Sequence, residues 1–312
     1  MSNKPSAEEL FDRRMNYPDV IAKERFERLV GLDTHKARLT KILSLLVNPA
    51  GFESWAKSYH PEASNVFKLI QRRPPLLVLA GDVGAGKSEL AETIGDAVAR
   101  QEKIDITLFP MSLSTRGQGR VGEMTQLLSS AFDHTLSEAS RLKSAAGKAR
   151  GAIILLVDEA DALAQSREAS QMHHEDRAGV NAFIRGIDRL ANAHLPAAVI
   201  MCTNRLGALD PAVKRRAADI LIFERPNEAQ RHAVLANVLI ELGFSQPQVH
   251  AIVGATGAHN GRAYGFTFSD MTQRLLPAIV LDAYPSKAVS PTRALEIARQ
   301  LAPTPPFMED AT

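Results

Sequence analysis

Disulfides, membrane spans and a charge of one sign are all missing from this 312-residue chain. Its one cysteine, Cys202, cannot form an internal bridge, and within "AAVIMCTN" it reads as a small hydrophobe of a buried strand. The longest apolar runs, "LLVLA" and "AIILLV", fall far short of the ~18 residues that cross a bilayer. The opening "MSNKPSAEELFDRRM" has no apolar signal core, so the expected setting is the cytoplasm, with no membrane partner. Lys and Arg number 37 against 35 Asp and Glu, a balance that gives no argument from composition for a nucleic-acid or membrane partner. The adjacent histidines of "MHHED" at 172 to 176 lack further spaced ligands and read as loop rather than as a metal site. What remains is a chain long enough for one large core and a smaller one.

The stretch "GDVGAGKSEL" at 81 to 90 follows the apolar run "PPLLVLA" and precedes a helical pattern. Gly81, Gly84 and Gly86 leave room for backbone N–H groups to approach phosphate oxygens. Lys87 is placed to reach the β- and γ-phosphates, and Ser88 offers a hydroxyl to Mg²⁺ while opening a helix whose N-terminus favours anions. The whole run, Gly81, Asp82, Val83, Gly84, Ala85, Gly86, Lys87, Ser88 and Glu89, is the expected nucleotide site, with ATP and Mg²⁺ as cofactors.

Runs at 76 to 80, 105 to 111, 152 to 160, 197 to 204 and 219 to 224 are long enough for strands and too short for helices. They lack polar alternation and are separated by helical stretches. That predicts a five-stranded parallel sheet covered on both faces, with ligands at the carboxyl ends of the strands. After "FERP" the pattern becomes helical, with Asn227 as a cap, and a last helix carries Ser290 as cap and Pro291 at its first position. The expected division is a short N-terminal segment at 1–25, an α/β nucleotide-binding domain at 26–225, a helical lid at 226–302 and a loose tail at 303–312.

Hydrolysis needs a metal anchor, a group that activates water, a γ-phosphate sensor and positive charge. Asp158 and Glu159 end the strand "IILLV". Asp158 is assigned to Mg²⁺ together with Ser88, and Glu159 to activating water. Asn204, ending the next strand in "CTNR", can donate to the γ-phosphate and accept from the attacking water. In "LDPAVKRRAADI", Arg215 and Arg216 precede the fifth strand on an expected exposed edge, where an arginine can serve a neighbouring subunit's site.

The phosphate loop, "VDEAD", "TNR" and "LDPAVKRR", in this order, resemble the AAA+ ATPases over roughly residues 25 to 300. The resemblance implies the P-loop AAA+ fold, α/β with a helical lid, and a hexameric ring. It also implies that "LVGLDTHKARLTKIL" brings Val30, Gly31 and Leu32 to the border of adenine. In "STRGQGRVGEMTQLL" the family's pore loop is matched at Val121, Gly122 and Glu123, but Arg120 stands where most unfoldases carry an aromatic. Its stem can still pack on a threaded chain.

The pattern "SR…RAGVNAFIRGIDRL" is similar to the pachytene-checkpoint branch, whose members remodel HORMA-domain proteins. Only some 25 residues precede the ATPase core, which favours a compact bacterial member. Such a member works, by resemblance, beside a HORMA protein and a nucleotide second-messenger synthase in antiphage (CBASS) signalling. The family's lid arginine has no clear counterpart: aligning "TFSDMTQRLLP" to the family's lid motif puts Met271 near its place, with Arg262 or Arg274 as substitutes. The expected function is an ATP-driven protein remodeller. A nucleotide-gated scaffold, or a chaperone or loader with another partner, is the alternative, and direct nucleic-acid binding is disfavoured by the balanced charge and the lack of a DNA-binding motif.

Overall fold

The computed structural model describes residues 10–113, 123–143, 149–164, 174–259 and 261–307. By its internal contacts the chain divides into two units. The first comprises 1–27, 34–80 and 88–222; the second comprises 28–33, 81–87 and 223–312.

The first unit is built on the sheet. In chain order its strands are β1 (Met15–Tyr17), β2 (Leu76–Gly81), β3 (Asp105–Ser112), β4 (Gly151–Asp158), β5 (Ala197–Thr203) and β6 (Ala217–Phe223). They lie side by side as β1-β3-β4-β5-β2-β6. The pairings β3 with β4, β4 with β5, and β2 with β5 are parallel. All seven residues of β5 are buried, as are the first seven of β4. Aliphatic side chains on both faces of a strand require cover on both sides, which explains the missing polar alternation. Cys202 is buried among them.

The sheet has one strand more than the five expected. Met15–Tyr17 pairs antiparallel with β3, Met15 opposite Leu108 and Tyr17 opposite Ile106. Three residues are too few to show a period of two, and only the exposed edge of β3 makes a strand of them. The Phe11 ring stacks on Phe109 at 4.7 Å, and the Tyr17 hydroxyl donates to the Glu92 carbonyl.

Covering helices are α1 (Val20–Arg28), α2 (Asp33–Val47), α3 (Pro49–Tyr59), α4 (Ser64–Gln71), α5 (Lys87–Glu102), α6 (Glu123–Leu142), α7 (His174–Ala193) and the short α8 (Pro211–Lys214). Helices α6 and α7 meet at Phe132 and Phe183, whose rings are 5.8 Å apart and edge to face. Gly186 permits this approach, since a Cβ there would lie 2.2 Å from the Phe132 ring. The glycine of "FIRGIDRL" is thus a packing residue.

In the second unit, α9 (Glu228–Glu241), α10 (Gln246–Ala255), α11 (Leu276–Ala283) and α12 (Pro291–Gln300) enclose Leu235, Leu239, Val249, Phe266, Met271 and Leu275. Asn227 caps α9 in a reciprocal capping box with Gln230, and Ser290 caps α12. The stretch "TFSDMTQRLLPAIVLDAY" is not one regular helix: Asp270–Leu275 forms a π turn before α11. Pro277, without an N–H to give and with a ring that crowds the preceding turn, accounts for the break. Thr304, in the segment expected to be a loose tail, is fixed: its N and Oγ1 donate to the buried Asp270 at 3.0 and 2.7 Å. Sequence composition shows the tail's prolines but not this buried acceptor.

Candidate active site

Two parallel strands of the first unit end together, with Ser112 opposite Asp158 in the register of β3 and β4. Asp158 Oδ1 accepts from Ser88 Oγ at 3.1 Å and from the Glu159 backbone N–H at 2.9 Å. Burial pushes its carboxyl above the usual range; the two hydrogen bonds oppose that and the neighbouring Glu159 charge adds to it. A hydroxyl and a partly desolvated carboxylate side by side are hard oxygen donors of the kind Mg²⁺ takes. The donor set at Ser88 and Asp158 therefore fits the metal.

Glu159 follows with φ of +50°, a conformation uncommon outside glycine. Its Oε2 accepts from Ser112 Oγ at 2.6 Å. Two residues on, Asp161 uses both oxygens: Oδ1 accepts from Thr203 Oγ1 and from the Asn204 N–H, each at 2.7 Å, and Oδ2 accepts from Asn204 Nδ2 at 3.1 Å. With Nδ2 so engaged, Asp161 sets the amide plane of Asn204 and leaves its Oδ1 as the acceptor.

The two arginines differ. Arg216 forms a bidentate pair with Asp188, Nε to Oδ1 at 2.7 Å and Nη2 to Oδ2 at 2.9 Å, and donates to Ala212 O at 3.0 Å. Arg215 ends α8 and is exposed. Glu89 is committed to Arg25, which grips both its oxygens at 2.7 Å, so its backbone, not its carboxylate, is what it can offer a phosphate.

In the second unit the phosphate loop carries three glycines at positive φ: Gly81 at 142°, Gly84 at 71° and Gly86 at 92°. At Gly81 a Cβ would lie 1.9 Å from Phe223 O, and at Gly84 it would lie 2.7 Å from Thr267 Oγ1. Backbone is packed too closely there for any side chain. Lys87 Nζ donates to Gly81 O at 2.9 Å and Asp82 O at 2.7 Å, so its ammonium is folded over the loop's own carbonyls. Ser269 N donates to Gly84 O at 3.2 Å. Ala85 is buried and Val83 exposed. Such a loop, with its glycine backbone and lysine, fits a polyphosphate.

Val30 and Gly31 lie in the same unit; Gln230 Nε2 donates to Gly31 O at 2.7 Å, and Leu32 is buried. The three residues near the lid position all have partners within the second unit. Met271 is buried in the helical core. Arg262 donates to the carbonyls of Ala255, Ala298, Arg299 and Leu301, closing helix ends. Arg274 is paired with Asp270 at 2.8 Å. Among the described residues, Arg225 reaches the phosphate loop and donates to Asp82.

Sequence reasoning missed Ser112, Asp161 and Arg225. The second Asp of "VDEAD" was the one available signal for Asp161; Ser112 and Arg225 carry none, being remote in sequence from their partners. Arg120 and Val121 lie outside the described residues.

A model of the ATPase family associated with various cellular activities (AAA) matches residues 77–225. CD-NTase-associated protein 6 of Escherichia coli (strain MS 115-1) is 65% identical over 309 residues, 99% of each chain. Among solved structures, the chain is similar to one described as the E. coli MS115-1 HORMA:CdnC:Trip13 complex. The identity is 63% and the TM-score 0.90, over 98% of this chain and 100% of that one. It is also similar to Rhizobiales Trip13, at 57% identity and a TM-score of 0.73, over 95% of this chain and 100% of that one. Phosphate loop, acidic strand end and these full-length likenesses agree: the chain belongs to the AAA ATPases, in the branch of CD-NTase-associated protein 6 and the bacterial Trip13 proteins.

Proposed function

We propose that this protein is a Mg-ATP-dependent remodeller that works as a hexameric ring on a HORMA-domain protein in CBASS antiphage signalling. The observation that carries the chemistry is the strand end where Ser88 meets Asp158 and Glu159 meets Ser112. The partner is supported by the relative solved in a complex with HORMA and CdnC, to which this chain is similar over its full length.

In this reading residues 26–225 form the nucleotide-binding domain and 226–302 the lid. Val30 and Gly31 border the base, and the backbone from Gly81 to Glu89 holds the phosphates. Lys87 exchanges its bonds to the Gly81 and Asp82 carbonyls for phosphate oxygens. Ser88 and Asp158 would hold Mg²⁺, which would supply charge neutralisation for the phosphates. Glu159 turns from Ser112 to take a proton from water, and Asn204 Oδ1, its amide held by Asp161, orients that water. Arg215 is the finger offered to the next subunit; Arg216, gripped by Asp188, braces it. Arg120 and Val121 line the pore and hold the substrate chain.

The test pairs Lys87→Ala with Glu159→Gln. The first loses ATP binding; the second binds ATP normally, turns over at least 100-fold more slowly, and retains a HORMA-domain protein in ATP-dependent pull-down. A Glu159→Gln protein that hydrolyses at the wild-type rate removes the base assignment. One that retains no HORMA protein in ATP removes the partner.

A further inference from the structure

One guanidinium joins three parts of the second unit. Arg225, just past the end of β6, donates from Nε to Asp82 Oδ2, from Nη1 to Gly265 O at 2.7 Å and from Nη2 to Thr304 O at 2.7 Å. Its plane lies over Tyr264, with Cζ 4.8 Å from the ring centroid. The Arg225 and Asp82 side chains each keep only 15% of their exposure.

Asp82 is a costly residue for its position. A loop whose backbone N–H groups serve a polyphosphate gains nothing from a carboxylate beside them, because like charges repel more strongly where water is partly excluded. The sequence still places one directly after the first glycine. What makes it tolerable is how fully it is engaged. Oδ1 accepts from the Val83 N–H at 2.8 Å, Oδ2 accepts from Arg225, and the Asp82 N–H donates to Phe223 O at 3.1 Å. The carboxylate turns the chain locally, as Asp does in tight turns, and the guanidinium compensates its charge.

We infer that Arg225 is a positioning residue for the phosphate loop: paired with Asp82, it offsets that carboxylate's repulsion of polyphosphate and fixes the first turn of the loop. Nucleotide affinity then depends on an arginine outside the Gly81–Ser88 run. Through Gly265 and Thr304 the same side chain ties the loop to the lid and to the segment after α12, so ordering one orders the others. This rests on the reading of the loop as an ATP site.

Two other roles give different results. A brace for the fold loses stability without regard to the ligand's charge. An arginine that grips phosphate directly cannot be replaced by removing Asp82. Binding of Mg-ATP, Mg-ADP and AMP to the full chain is measured by titration calorimetry for wild type, Arg225→Lys, Arg225→Gln and Arg225→Gln with Asp82→Asn. Arg225→Gln is expected to weaken ATP about tenfold, ADP less and AMP least. The double variant recovers most of the ATP loss, and Arg225→Lys, which keeps the charge but neither the three-way fork nor the stacking on Tyr264, falls between wild type and Arg225→Gln. Equal losses for all three nucleotides, or no recovery in the double variant, overturn the inference. If Arg225→Gln does not fold, a folded Arg225→Lys that weakens ATP, ADP and AMP equally overturns it as well. Wild-type protein that fails to bind ATP overturns the proposed function, and this inference with it.

Discussion

Ser112 Oγ donates to Glu159 Oε2 at 2.6 Å, across the ends of two neighbouring parallel strands. The carboxylate proposed to activate water is held by a hydroxyl that sits at the end of the strand leading toward Arg120. An oxygen that accepts from Ser112 must give up that bond before it can accept from water. Ser112→Ala is therefore expected to raise basal ATP hydrolysis about two- to fivefold and to reduce its stimulation by a HORMA-domain partner. Steady-state phosphate release with and without partner measures both. A fall in hydrolysis as deep as that of Glu159→Gln would instead place Ser112 in the chemistry itself.

Asp158 connects burial to pH. Its carboxyl sits above the usual range in the folded chain, first because it is buried and then because Glu159 is beside it. Between the unfolded and folded values the native state binds the extra proton, so this group's contribution makes the fold less stable as pH rises through that window. Metal needs the ionised form, and Mg²⁺ affinity rises over the same interval. Asp158→Asn should remove both effects. Its melting temperature exceeds wild type by about 1–3 °C above the window and converges on it below, while Mg²⁺-dependent hydrolysis is lost. Thermal unfolding across pH, with parallel Mg²⁺ titrations, checks the sign; a variant that melts lower at neutral pH contradicts it.

The two arginines should separate. Arg215→Ala is expected to bind ATP, fold like wild type and lose hydrolysis at least 30-fold. Mixed with Lys87→Ala subunits, it regains part of the rate, since an intact loop then faces an intact arginine. Arg216→Ala also loses its bidentate pair with Asp188, whose side chain is exposed, so it should melt about 1–3 °C lower, and Asp188→Asn should reproduce that loss. Equal melting temperatures for the two arginine variants would dissolve the distinction, and absence of recovery in verified mixed oligomers would argue against shared sites.

Arg120 is tested by separating work from chemistry. Arg120→Ala should leave basal hydrolysis within about threefold, below ~1 kcal/mol in barrier, while ATP-dependent conversion of a HORMA-domain partner falls at least tenfold. Following partner conformation and ATP turnover in one reaction distinguishes the two. Unimpaired remodelling by the variant removes the grip assigned to this side chain.

Local features are legible in neighbouring residues. Glycines at 81, 84 and 86 mark a backbone that must bend and be approached closely, and Asn227 and Ser290 mark helix starts, because caps and turns are satisfied within a few positions. Buried strands are recognisable from their unbroken aliphatic runs, and Asp158 and Glu159 from the place where one such run stops. Tertiary structure alone decided the rest. Met15–Tyr17 is a strand only because β3 offers an edge. Ser112 matters only because sheet register sets it opposite Asp158, and Arg225 because folding brings it 143 positions back to Asp82. Arg262, a reasonable substitute lid arginine in one dimension, is used up by four carbonyls at helix ends. A charged side chain does not announce its partner in the sequence; it takes whichever opposite charge or unsatisfied carbonyl the packed chain leaves within reach, and that is known only once the chain has folded.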